Sequence, residues 1–230
     1  MGGVPVMRLE WQRLLRAPLS GEPLRFEGSY VGQSESDWDG GRLITPRGFS
    51  VAAVKNGIPD FVQSNTWATF EATKAKNRDH WITQGWGRQI ALAHEEPFPD
   101  VVSAIIDAGP LILELGAGPG GGHMPMVLER LPDASILVND FEFGMLDDWR
   151  VFFNSRGLGP AVSLACFDAC VMPITADSAD CVSSHGCFSN ISNRSLDAHT
   201  WSHQRVGFIS GKRRILDHQR SLFGAKVGLA

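Results

Sequence analysis

No stretch of this chain approaches the roughly 18 uninterrupted apolar residues that a bilayer-crossing helix requires. The N-terminus, from Met1 to Arg8, lacks the apolar core of a secretory signal. Val6 stands where an acylation motif on Gly2 wants Ser or Thr. We therefore expect no membrane partner. Cysteine is scarce and local: Cys166, Cys170, Cys181 and Cys187 are too few for a disulfide framework. Their spacings are not those of paired zinc knuckles, and His199 and His203 have no third ligand nearby. Reduced cytoplasmic thiols and no metal are the expectation. An excess of basic charge is missing too: the net charge is -4 with 20% charged residues, which argues against a protein built to coat nucleic acid. Internal repeats and low-complexity tracts are also absent.

What is there divides into four zones. Residues 8–62 are punctuated by Pro and Gly and read as short strands. Residues 63–109 mix Trp67, Phe70, Trp81 and Trp86 with polar residues and read as a helical linker. Residues 110–192 alternate apolar runs with helical patterns. Strands are expected at Pro110–Leu115, Ser135–Asn139, Ala161–Phe167 and Asp180–Ser184, with helices over Met124–Arg130 and Phe143–Arg156. That alternation predicts βαβ units, hence an α/β fold with a Rossmann-like parallel sheet and helices on both faces. Residues 193–230 lose the rhythm.

The segment from Leu113 to Gly122 carries the chemistry. A buried strand turns into a helix through Gly116, Ala117, Gly118 and Gly120, so a ligand can approach the bare backbone at the positive end of a helix. The glycines alone suit a dinucleotide as well as a sulfonium nucleoside. Glu114 separates the two readings: a carboxylate two residues before the first glycine does nothing for a phosphate but suits a ligand with an ammonium and a sulfonium. Asp140 closes the next strand, where an acidic side chain can accept two ribose hydroxyls. Each residue also has a plainer reading. Glu114 could be a carboxylate at a sheet end, Asp140 a helix cap, Asp168 the start of a turn, and His185 a histidine at a strand end.

Leu113–Gly120, Asp140 and Phe167–Ala169 together resemble the class I methyltransferases that use S-adenosylmethionine (SAM). The resemblance covers about 110–192. It implies Glu114 and Gly116–Gly120 around the methionine moiety, Asp140 on the ribose and Phe141 against the adenine. It further implies Asp168 and the Ala169 backbone at the adenine edge, with Ser184, His185 and Gly186 beside the transferable methyl. His185 is the one candidate for a catalytic base. The acceptor is expected to be a small molecule, with RNA as the competing substrate and a non-catalytic SAM-binding scaffold as the alternative of a different class.

The N-terminal zone is similar to a zinc-ribbon-like module of the methyltransferase-activator type, through Leu14–Leu24, Gly41–Val51 and Asn56–Val62. The resemblance places the ligand positions at Ala17, Ser20, Thr45 and Gly48, none of them a zinc ligand. Packing alone must hold such a module, and Leu14, Leu15, Leu19, Leu24, Leu43, Ile44, Val51, Val54, Ile58 and Phe61 are its expected core.

The family pattern stops near Arg194. Residues 194–230 hold seven Lys/Arg against two Asp/Glu, and Val206–Gly211 is the one strand expected there. We read this tail as a truncated or shifted frame that leaves the sheet incomplete, with an exposed edge.

Overall fold

The computed structural model describes residues 7–31, 37–62, 78–185, 187 and 215–217. Nine strands form one sheet: β1 (Arg25–Tyr30), β2 (Trp38–Ile44), β3 (Ser50–Lys55), β4 (Ile58–Asp60), β5 (Leu111–Glu114), β6 (Ser135–Asp140), β7 (Val162–Cys166), β8 (Cys181–Ser184) and β9 (Ile215–Asp217). Their spatial order is β1-β2-β3-β4-β7-β6-β5-β8-β9. The helices are a single turn α1 (Leu9–Gln12), α2 (Arg78–Leu92), α3 (Phe98–Ala108), α4 (Met124–Arg130) and α5 (Phe143–Arg156).

The parallel half bears out the expected Rossmann-like sheet. From β5 the chain steps outward through β6 to β7, then returns to the other side of β5 for β8. The order therefore reverses between β5 and β8, and a crevice opens at the carboxyl ends of strands where such a reversal occurs. All four strands and both helices expected in residues 110–192 form there, within a residue or two. Helix α5 shows why: Met145, Leu146, Trp149, Phe152 and Phe153 bury one face at helical spacing, and Gly157 ends it in a left-handed turn whose N–H reaches Asn154.

The antiparallel meander β1–β4 joins this sheet at one edge, where Asp60 lies opposite Cys166 and the Phe61 N–H donates to the Cys166 carbonyl at 2.8 Å. The segment before it does more. Met7, Trp11 and Leu15 are buried together with Trp38, Leu43, Ala52 and Val54 against Leu113, Leu115, Leu137, Ala165, Phe167 and Val182. These are the alternate residues of the parallel strands, so the N-terminal module covers one face of the sheet. The other face presents Ile112, Ile136, Val138, Val162, Leu164 and Cys181 to α2, α3, α4 and α5. The layout expected with helices on both faces is thus refined. Among the described residues the four longer helices gather on one face and only the single turn α1 lies on the other, because the connection from β7 to β8 consists of turns and leaves its side of the sheet to the module.

Within the module, the expected core is met at Leu15, Leu43, Ile44, Val54 and Ile58, while Leu14, Leu24, Val51 and Phe61 are half-buried. Leu19 is a correction: it is 94% exposed, at the tip of the turn from Ala17 to Glu22. A turn that short leaves its central side chain no neighbour to pack on. Beyond the sheet core, β9 pairs parallel with β8 through Ser183 and Leu216, so a strand lies beside β8 where an open edge was expected. Residues 63–77, the strand expected at Val206–Gly211, His199 and His203 lie outside the described residues. No helix of the described residues is long and apolar enough to cross a membrane.

Candidate functional site

The first half of the crevice is the bend after β5. Gly116, Ala117, Gly118 and Gly120 carry the chain from the strand through a short helical turn toward α4. Three side chains hold this bend. The Gly118 N–H donates to Asp140 Oδ2 at 2.8 Å, and the Trp149 indole N–H donates to the Gly118 carbonyl at 2.8 Å. Asn139 bridges its two neighbours: its Nδ2 donates to the Phe167 carbonyl at 2.8 Å, and its Oδ1 accepts from the Gly116 N–H at 3.4 Å. The bend is therefore tied to the ends of both β6 and β7. An ideal Cβ at Gly118 would find no atom within 4 Å, which leaves one side of the bend open for a ligand.

Helix α2 closes the bend from above. Gly85 makes this possible, since an ideal Cβ there would stand 2.2 Å from the Pro119 carbonyl oxygen and 2.8 Å from Gly120 Cα. Only a residue without a side chain lets the two backbones approach so closely.

Glu114 is 1% exposed at the end of β5. Ser183 of β8 donates its hydroxyl to Glu114 Oε2, and His123 Nδ1 lies 3.8 Å from that oxygen. Among the described residues Glu114 Oε1 has no hydrogen-bond partner, and it faces Gly122, whose φ of 60° favours glycine and whose Cβ would overlap the carboxylate. Glu114 is thus turned inward, against the turn that begins α4. Asp140 Oδ1 accepts from the Glu142 N–H at 3.0 Å, so this carboxylate joins the glycine bend to the start of α5. Phe141 is half-buried beside it. Asp168 is exposed just beyond β7 and caps a turn by accepting from the Cys170 N–H at 2.8 Å, next to a buried Ala169. The Phe167 N–H donates to the Asp140 carbonyl at 3.3 Å, so the two acids end neighbouring strands.

On the far side of the reversal, Ser184 is buried and His185 half-buried at the carboxyl end of β8. His185 is stacked on His123 with centroids 5.2 Å apart, and its Nδ1 lies 3.3 Å from Gln89 Nε2 of α2. The expectation at Gly186 lies outside the described residues.

Glu114, the glycine bend, Asp140, Phe141, Asp168 and Ser184 thus all end neighbouring strands at one edge. Sequence reasoning missed Gly85, Gln89, His123, Asn139, Trp149 and Ser183. Asn139 carried a signal, as an amide inside an otherwise apolar strand must find buried partners. His123, directly after three glycines, carried one too. Gln89 carried none, because only the crossing of α2 over the bend brings it in.

Residues 113–199 match a family described as a methyltransferase domain. That segment runs from the end of β5 past His185 and overlaps most of residues 110–192, where the resemblance to methyltransferases was expected. No curated protein matches the chain. Among solved structures, one is named as a SAM-dependent methyltransferase from Methanococcus maripaludis, at 20% identity, 62% of each chain and a TM-score of 0.47. A Haemonchus contortus phosphoethanolamine N-methyltransferase 2 has 20% identity over 59% of this chain and 32% of its own, with a TM-score of 0.39. A Galdieria sulphuraria protein named as a sarcosine dimethylglycine methyltransferase has 17% identity over 48% and 35%, at a TM-score of 0.34. The chain thus spans less than two thirds of each of these proteins.

Proposed function

We propose that this chain is a SAM-dependent methyltransferase acting on a small molecule. The observation that carries the reading is the junction at the reversal point, where a glycine bend is pinned by the carboxylate that ends the adjacent strand, Gly118 to Asp140 at 2.8 Å. The residues fit the cofactor. The bend is open at Gly118, Glu114 Oε1 is a buried acceptor without a hydrogen-bond partner among the described residues, and Asp140 brings a carboxylate, whose two oxygens accept several hydrogen bonds, to the same bend. Gly116–Gly120 and Glu114 would hold the methionine portion, Asp140 the ribose, and Phe141, Asp168 and Ala169 the adenine, with Ser184 near the methyl.

The cofactor supplies a methyl group on a sulfonium leaving group. The protein then has two tasks: to orient the acceptor in line and to exclude water. Helix α2 serves both by lying over the bend, since it carries Gln89 to the end of β8. An amide, an imidazole and the Phe98 ring enclose that end, which supports a small acceptor over an RNA surface.

The test is calorimetry with S-adenosylhomocysteine, followed by methyl transfer from SAM to an acceptor panel. We expect binding, and we expect Asp140→Ala to weaken it by about 1–3 kcal/mol, since it strands both its backbone donors and the ligand's hydroxyls. Unchanged affinity removes Asp140 from the site. Binding with no transfer to any acceptor favours the scaffold reading.

The N-terminal module has a further reading as a zinc-ribbon-like fold without its ligands. Ala17–Gly21 and Thr45–Gly48 form turns of five and four residues, each with proline second: the Gly21 N–H donates to the Ala17 carbonyl and the Gly48 N–H to the Thr45 carbonyl. Arg47 and Glu22 pair between the turns at 3.3 Å, where a ribbon would hold its metal. With Cys166 and Cys181 buried as protonated thiols, a cytoplasmic location completes the proposal.

A further inference from the structure

Three strands end in one row at the edge that carries the crevice. Asp60 of β4 lies opposite Cys166 of β7, and Cys166 lies opposite Asp140 of β6. Residues in register on parallel strands point to the same face. Asp60 and Asp140 therefore flank Cys166 as two strand-end acids, one from the N-terminal module and one from the core. Cys166 is buried, and its thiol donates to the Phe141 carbonyl at 3.4 Å. Burial, then Asp60 and then Asp140 push that thiol far above its ordinary value, with Lys55 opposing them, so it keeps the proton it donates.

The turn between β3 and β4 fastens the same corner to α5. Lys55 Nζ pairs with Asp60 Oδ2 at 3.1 Å and stands 5.2 Å from the centre of the Phe143 ring, at the first residue of that helix. Asn56 Nδ2 donates to Asp147 Oδ1 at 2.9 Å, one turn further along, and Asp147 also accepts from Arg150. The Val62 N–H donates to Asp60 Oδ1 at 3.1 Å. Phe141 and Glu142 form the short link from β6 to α5. Asp140 holds this link through the Glu142 N–H, and the module holds it through Cys166 and Phe143.

We propose that β4 is part of the cofactor site: Asp60, with Lys55 and Asn56, is a positioning residue that sets the Phe141 link against the adenosine half of the cofactor, acting through the Cys166 thiol and the start of α5. This rests on the methyltransferase reading, which gives Phe141 its ligand. A binding wall works only when the residues behind it hold it to within about 0.5 Å by packing and hydrogen bonds. The module supplies that support at the adenosine end, so it is a working part of the site as well as a cover for the sheet.

The experiment is NMR of S-adenosylhomocysteine bound to the full chain, reading the adenine ring-proton signals against those of the homocysteine methylenes. Asp60→Asn keeps the shape and removes the charge. Asn56→Ala cuts the link to α5 at an exposed position. Each should move the adenine signals, leave the methylene signals in place and weaken binding by about fivefold, the worth of one hydrogen bond. Arg42→Gln breaks an exposed ion pair with Glu27 elsewhere in the module and should leave all signals unchanged. If the wild type binds and both variants keep its adenine signals, the inference falls while the methyltransferase reading stands. If the adenine and methylene signals move together, the substitutions disturb the fold at large and the positioning role falls. If the wild type binds no S-adenosylhomocysteine, the reading falls and the inference with it. Should Asp60→Asn fail to fold, Asn56→Ala decides alone.

Discussion

The two faces of the parallel sheet are made from the same strands, β5 to β8, of four to six residues each, yet they are built differently. On the face under the N-terminal module, Leu113, Leu137, Ala165 and Val182 meet Met7, Trp11 and Leu15 in an apolar layer. On the face under the helices, the interior is equally apolar but the carboxyl ends carry Glu114, Ser183, His123 and Gln89, all buried. Alternation along a strand allows this, because neighbouring residues point to opposite faces. Stability is concentrated on one side, where the layer is mostly apolar and the buried hydroxyls of Ser135 and Ser163 are partnered by Glu10 and the Arg8 N–H. The other side accepts buried polar groups, each of which carries a penalty unless it is partnered. The difference predicts that damage to the first face lowers stability alone, while damage to the second lowers stability and ligand affinity together.

The largest expected effect is on the module face. Trp11 is fully buried and its indole N–H has no hydrogen-bond partner among the described residues, so removing the ring costs packing and strands none of them. Trp11→Ala should lower the unfolding free energy by about 3–5 kcal/mol, as large aromatic truncations do. Urea unfolding gives the loss, and calorimetry on the folded fraction should give the wild-type affinity for S-adenosylhomocysteine. A variant that keeps its stability but loses affinity would erase the distinction between the faces.

Two glycines in α2 make the second test. A helical Gly→Ala change ordinarily stabilises by up to about 1 kcal/mol. Gly87 is exposed with no atom within 4 Å of its missing Cβ, so Gly87→Ala should follow that rule. At Gly85 the sign reverses. The added methyl would meet the Pro119 carbonyl, a backbone atom that cannot step aside, and Gly85→Ala should destabilise by about 1–3 kcal/mol. Because the helix is pushed off the bend and carries Gln89 with it, affinity should fall as well. Equal behaviour of the two variants would show that α2 does not need its close approach.

Asn139 gives a third effect of similar or smaller size. Asn139→Ala removes the acceptor of the Gly116 N–H and the donor to the Phe167 carbonyl. A loss of about 1–3 kcal/mol follows from leaving such groups buried and unpaired. Thermal unfolding with and without S-adenosylhomocysteine should show the ligand recovering less stability than in the wild type, since the bend is no longer held.

These contrasts show what a linear reading could reach. The parallel half was legible because each signal was local: an apolar run, glycines where Cβ atoms cannot fit, an acid at the next strand end. Glu114, Asp140 and the bend were singled out for that reason. The partition of the faces was not legible. Trp11 lies in a single helical turn too short to show periodicity, and only the fold brings it against Leu137 and Ala165. Leu19 misled for the opposite reason, as an apolar residue in a turn whose tip has nothing to pack on. His123 and Gln89 reach the end of β8 through two crossings that no spacing encodes. Asp168 shows a further limit, since the carboxylate that suits a ligand also caps its own turn.

The smallest effect tests how the module is fastened to the sheet. Glu10 of α1 accepts from the Ser135 hydroxyl of β6 at 2.8 Å and pairs with Arg8 at 2.6 Å. Partial burial pushes its carboxyl group up, but its own backbone N–H, Ser135 and Arg8 together outweigh this and hold it below the usual glutamate value. A carboxyl whose value is lower in the folded state stabilises the fold above its unfolded value. That contribution is lost as pH falls through the lowered one. Wild type should therefore exceed Glu10→Gln in urea midpoint at pH 7, and the gap should shrink as the solution is taken to acid. The gap stays small because the pair is partly exposed and screened by water. A gap that is the same at pH 7 and in acid would mean that the Glu10 charge plays no part in docking the module. The apolar layer around Trp11, with the Arg8 N–H that donates to Ser163 at 3.0 Å, would then fasten it to that face.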